Sequence, residues 1–118
     1  KRFQQHTDEL AKLISGHQAL IIGPIRQEIL SGYSDAGQFA LLREKLAYFE
    51  NSPIFDSDYE LAAEFSNRCR IKGVQGSHTD FLICAVAARL DTPVFTTDKD
   101  FFNYRKHLPV LLHEIRQA

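Results

Sequence analysis

The stretch Gly76-Ser77-His78-Thr79-Asp80-Phe81-Leu82-Ile83-Cys84-Ala85-Val86-Ala87-Ala88-Arg89-Leu90 decides how this chain is read. Over residues 79–90 it predicts a helix that is apolar on nearly every side, and such a helix is buried. One carboxylate, Asp80, stands at its start. A carboxylate entering apolar surroundings must be paired, hydrogen-bonded or bound to a metal, because an isolated buried charge is too costly. The sequence then runs Thr92-Pro93-Val94-Phe95-Thr96-Thr97-Asp98-Lys99-Asp100-Phe101-Phe102. Residues 92–96 read as a strand, and a second carboxylate, Asp98, follows it directly. Residues 99–104 read as a short helical turn.

Upstream, residues 7–15 form an amphipathic pattern, with Leu10, Leu13 and Ile14 on one face and Gly16 suited to the C-terminal cap. Ala19-Leu20-Ile21-Ile22 is a short apolar run of the kind expected of a buried parallel strand. Gly23-Pro24 opens a helix carrying Ile25, Glu28 and Ile29, with proline suited to the first helical position, and this helix stops near Ser31-Gly32. Residues 38–49 read as a further helix, broken by Asn51-Ser52-Pro53. Residues 58–70 read as another, with Leu61, Ala62 and Phe65 inward and a basic end in Arg68, Arg70 and Lys72. That end suits the helix dipole, and it also suits an RNA backbone. Residues 73–77 form a loop, and Val110-Leu111-Leu112 reads as a final strand before Ala118. Strands alternating with helices predict a parallel α/β sheet flanked by helices.

The whole chain of 118 residues is the size of one domain, expected to span 1–118, and the 44% apolar and 25% charged fractions are those of a globular protein. No apolar run approaches the roughly 18 residues of a membrane span, and no signal peptide is visible. Cys69 and Cys84 are the only cysteines, so a disulfide framework or a cysteine zinc site is not expected. Two reduced thiols in or near the core and a cytoplasmic location are. A net charge of -1 supplies no global attraction for nucleic acid, so a polyanion site has to be local.

Ligands of open parallel sheets bind beyond the carboxyl ends of the strands. Glu28, Asp80 and Asp98 each fall near such an end. Two carboxylates about 4 Å apart repel by about 4 kcal/mol at an effective dielectric near 20, and a divalent cation relieves this. Oxygen donors without cysteine or histidine spacing favour magnesium or manganese over zinc. Each residue also has an ordinary reading. Ser77-x-x-Asp80 fits a capping box, Glu28 fits a solvated helix face, Asp98 fits a turn or helix cap, and Asp100 fits a first-turn position. His78 reads as an exposed loop histidine. Phe101, Phe102 and Tyr104 are able to stack on bases, with Phe101 and Phe102 expected in the core.

Three segments carry a resemblance: Gly23-Pro24-Ile25-Arg26-Gln27-Glu28-Ile29-Leu30, Thr79-Asp80-Phe81-Leu82-Ile83-Cys84-Ala85 and Thr96-Thr97-Asp98-Lys99-Asp100-Phe101. With them the chain resembles PIN-domain ribonucleases, and most of all the VapC-type toxins of bacterial toxin–antitoxin pairs. The resemblance implies Mg2+- or Mn2+-dependent RNA cleavage. It gives Glu28, Asp80 and Asp98 catalytic and metal-site roles, with Asp100 as a fourth metal contributor. It further implies a homodimer and an antitoxin protein whose tail blocks the acidic site. The family also begins with a strand ending in Asp. This chain begins Lys1-Arg2-Phe3, holds no methionine, and offers only Asp8, within a helical pattern, near that end. It therefore reads as N-terminally incomplete, lacking the first strand, which keeps open a non-catalytic PIN module that binds an antitoxin or RNA. A third reading takes Asp98-Lys99-Asp100 as the DxD motif of sugar-nucleotide transferases, but the tripeptide is too short to be specific.

Overall fold

Local capping chemistry sets most of the helices in the computed structural model, which describes residues 21–49, 51–96 and 98–113. The expected helix over 7–15 and most of the expected strand over 19–22 lie outside the described residues, as does Asp8. The chain divides into two compact units, one within Lys12–Pro53 and the other from Ile54 onward.

In the first unit, α1 (Gly23–Ser31) begins with Pro24 at its start, where a missing N–H costs nothing. α2 (Ala36–Leu46) starts two residues earlier than its apolar pattern suggested, because the Asp35 carboxylate accepts the Gln38 N–H at 2.9 Å. Ile21 and Asn51 form a parallel bridge, with Ser52 N–H donating to the Ile21 carbonyl at 2.7 Å. Arg26 fastens the unit. Its Nε donates to Asn51 Oδ1 at 2.9 Å and one terminal nitrogen to the Leu46 carbonyl at 2.8 Å. The other terminal nitrogen donates to the Phe49 carbonyl. The Leu46 carbonyl also accepts the Phe49 N–H at 3.0 Å, and a cation at this helix end complements the helix dipole. Neither α1 nor α2 carries a fully buried residue.

The second unit is built on α3 (Asp56–Ile71) and α4 (His78–Leu90), followed by α5 (Asp100–Tyr104). α3 buries Ala62, Phe65 and Cys69, three and four residues apart, as one stripe. α4 buries Phe81, Leu82, Cys84, Ala85 and Val86, as its composition predicts. Both cysteines are free and buried. α4 ends at Asp91, whose φ of 52° and ψ of 48° put a non-glycine residue in the left-handed region. Asp tolerates that conformation better than most residues. The two predicted strands meet as a single parallel bridge, Val94 with Leu112. Val94 N–H donates to the Leu111 carbonyl and His113 N–H to the Val94 carbonyl, both at 2.8 Å. Among the described residues the parallel pairing is seen only at this bridge and at Ile21–Asn51, short of the extended sheet that the alternation implied.

One ion pair clamps the start of α3 to the end of α4. Asp58, only 1% exposed, accepts Arg89 Nε at 2.7 Å and its own helix's Phe55 N–H at 2.9 Å. The Arg89 guanidinium also sits 4.7 Å from the Phe55 ring centre.

Candidate metal centre

Ser77 Oγ accepts the Asp80 N–H at 3.0 Å and so starts α4. The capping reading is therefore right for Ser77. The Asp80 side chain does something else. Its Oδ2 accepts the hydroxyl of Tyr104 at 2.7 Å, and the residue is half-buried. A carboxylate on the rim of an apolar helix is thus hydrogen-bonded, as its position requires.

The loop after Val94 brings up the other two acids. Thr96 Oγ1 accepts the Asp98 N–H, and Asp98 Oδ1 accepts the Asp100 N–H, both at 2.9 Å. Asp98 is therefore a turn residue that helps start α5, and Asp100 is the first residue of that helix. Neither local duty removes the carboxylates from the cluster, because each retains further lone pairs. Oxygens of Asp80, Asp98 and Asp100 lie within 4.8 Å of one another. Asp98 and Asp100 are exposed, so water partly screens their repulsion.

The donor set fits a small hard cation. Magnesium at 2.0–2.1 Å from each oxygen places neighbouring ligands about 3 Å apart and opposite ligands about 4.2 Å apart, and it keeps several waters. The three carboxylate oxygens, within 4.8 Å of one another, are on the scale of such a coordination shell. All donors are carboxylate oxygens, which suit magnesium or manganese rather than zinc.

Glu28 lies on α1 in the first unit, with its side chain exposed. His78 is exposed at the start of α4. Phe101 is buried, as expected, but Phe102 is 45% exposed, contrary to its expected core role. The five-residue α5 turns Phe102 outward, where the Arg105 guanidinium lies 4.9 Å from its ring. Tyr104, read as able to stack on bases, is fully buried instead, against Phe81 at 5.0 Å and Phe101 at 5.1 Å between ring centres. Burial, then the bond to Asp80, pushes its phenol far above the usual range, so it remains a donor at any ordinary pH. Burial likewise pushes the Cys84 thiol up to about 12, with Asp80 adding to the shift.

Two side-chain contacts, one at the site and one structural, are not visible in the sequence. Tyr104 and Asp80 stand 24 residues apart, and Asp58 and Arg89 stand 31 apart. Only the placement of a charged residue at the end of an apolar helix hinted at either. A groove of about 440 Å³ lies between α3 and the start of α4, lined among others by Tyr59, Asn67, Arg70, His78 and Thr79. Arg70 donates to Asn67 Oδ1 on that wall.

No helix among the described residues is long and apolar enough to cross a membrane. The PIN-domain family model matches residues 3–107. No curated protein matches the chain.

Proposed function

The chain belongs to the PIN-domain family, and from that premise we propose that it is a metal-dependent endoribonuclease, the toxin of a toxin–antitoxin pair. PIN domains have an α/β fold, are generally nucleases acting on RNA and usually employ divalent metal ions. The observation that carries the reading is the meeting of Asp80, Asp98 and Asp100 within 4.8 Å, built from a helix start and a loop that the sequence keeps 18 residues apart.

In this reading Asp80, Asp98 and Asp100 hold Mg2+ or Mn2+. The ion, when bound, activates a water and offsets charge developing on the phosphate. The protein's own residues do the rest. Ser77 and Tyr104 fix Asp80, and Thr96 fixes the loop bearing Asp98. Arg70, on the groove wall, and its neighbours in sequence Arg68 and Lys72 offer cationic contacts to an RNA backbone. On the family's sequence pattern Glu28 is proposed as a further acidic contributor to catalysis and metal binding. We take residues 1–118 as one PIN-like domain with a parallel sheet, of which the bridges Ile21–Asn51 and Val94–Leu112 are the pairings in view. The protein is proposed to act in the cytoplasm as a homodimer restrained by an antitoxin.

The test is cleavage of RNA in Mn2+ by the purified protein beside Asp80→Asn, Asp98→Asn and Glu28→Gln. Cleavage abolished by EDTA and reduced at least a hundredfold in each variant is the expected result. Full-rate cleavage by a folded Asp80→Asn protein would sink the site. A folded wild type that binds RNA or antitoxin but never cleaves would select the non-catalytic module.

A further inference from the structure

We propose that Tyr104 is a positioning residue for the acidic site: its buried hydroxyl holds the Asp80 carboxylate in one orientation, and Gly76 provides the clearance that lets it do so. The inference rests on the metal-site reading above.

The Tyr104 ring has little freedom. It is fully buried, tilted against Phe81 and edge-on to Phe101. A ring wedged between two others delivers its hydroxyl to one place, and that place is 2.7 Å from Asp80 Oδ2. Asp80 is also held at its backbone, where its N–H donates to Ser77 Oγ. The carboxylate is thus constrained from both ends, while Oδ1 and the remaining lone pair of Oδ2 stay available to an ion. Small hard cations demand near-ideal geometry, so an orienting bond behind a ligand matters to affinity. Loss of such a partner typically costs 10–100-fold.

Gly76 shows that this approach is a built feature. A Cβ on Gly76 would lie 2.3 Å from the Tyr104 hydroxyl oxygen, 2.8 Å from Cζ and 2.9 Å from Cε1. Its φ is not in the left-handed region, unlike that of Gly73 at 78°. Backbone conformation therefore does not call for glycine at position 76. Space for the tyrosine hydroxyl does.

The test is Mn2+ binding, read by electron paramagnetic resonance of free Mn2+, for wild type, Tyr104→Phe, Gly76→Ala and the double variant, with thermal melts alongside. Tyr104→Phe keeps the ring packing and removes only the hydroxyl. The expected result is about tenfold weaker Mn2+ binding in Tyr104→Phe, with the melt nearly unchanged. Gly76→Ala is expected to weaken binding as well. The double variant is expected to bind no more weakly than the weaker single variant, because both changes break the same contact. A Tyr104→Phe protein that binds Mn2+ within twofold of wild type overturns the proposal for Tyr104. Additive losses in the double variant overturn the role given to Gly76. A folded wild type that takes up no Mn2+ overturns the metal-site reading itself, and that arm needs no variant.

Discussion

Asp58 and Arg89 give the sharpest test of how the second unit is held together. The Asp58 carboxylate is 1% exposed, whereas the Arg89 side chain is 29% exposed. The two halves of the pair should therefore fail unequally. In Asp58→Asn, Arg89 can turn to water, and the amide oxygen can still accept the Phe55 N–H. The loss is mainly one charge-assisted hydrogen bond, about 2 kcal/mol. In Arg89→Met, a buried carboxylate is left without its partner, which costs about 3–5 kcal/mol. The lost contact with Phe55 adds up to about 1 kcal/mol, so about 4 kcal/mol is expected. With a urea slope near 2 kcal/mol per molar, the midpoints should fall by about 1 M and about 2 M. Acid adds a second signature. The Arg89 hydrogen bond holds the Asp58 carboxyl below its usual range, outweighing burial, with the Phe55 N–H assisting. A depressed carboxyl contributes stability that is fully present above its unfolded value of about 3.9 and is lost as pH falls through the lower folded value. Urea melts followed by circular dichroism at pH 7 and pH 3 should show the wild-type advantage over Asp58→Asn shrinking at pH 3. The Arg89→Met penalty should shrink too, because protonation neutralises the stranded acid. Equal penalties for the two variants at pH 7, or gaps that ignore pH, would refute the reasoning.

Three further outcomes follow from the same structure. Phe65, 1% exposed at the centre of the α3 stripe, should cost about 3–5 kcal/mol when replaced by alanine, read by the same urea melts. Cys69 and Cys84 are buried, with both thiols pushed above their usual values by burial. At pH 8 they should resist a thiol reagent in the native protein and react in full only in urea. Asp91→Gly, at a φ of 52°, should raise stability by about 0.5–1 kcal/mol by relieving left-handed strain; a lower melting midpoint would contradict that.

The order of helices was legible because each announces itself by a local rule. Pro24 starts α1, Ser77 starts α4, and the unbroken apolar run after Asp80 could only be a buried helix. The convergence of Asp80 with Asp98 followed from placing one acid at a helix start and the other just beyond a strand. Asp100 came with Asp98 through their shared turn. The start of α2 was misplaced because Gly37 in its first turn masked the Asp35 cap. Phe102 was misjudged because α5, five residues long, is too short for periodicity to define an inward face. The partners of Asp80 and Asp58 were invisible for a different reason. Tyr104 and Arg89 reach them through tertiary packing, which no spacing along the chain encodes.

The three bonds of Arg26 make the first unit a structure with a keystone. Neither α1 nor α2 contributes a fully buried side chain, so the Arg26 guanidinium ties α1 to the end of α2 by polar bonds. A fork with five donors can serve Leu46, Phe49 and Asn51 at once, and a lysine, with a single point of charge, cannot. Helices tied in this way are expected to open at a free energy below that of global unfolding. Amide hydrogens in α1 and α2 should then exchange with deuterated water well before those in the middle of α3 and α4, with the polypeptide otherwise intact.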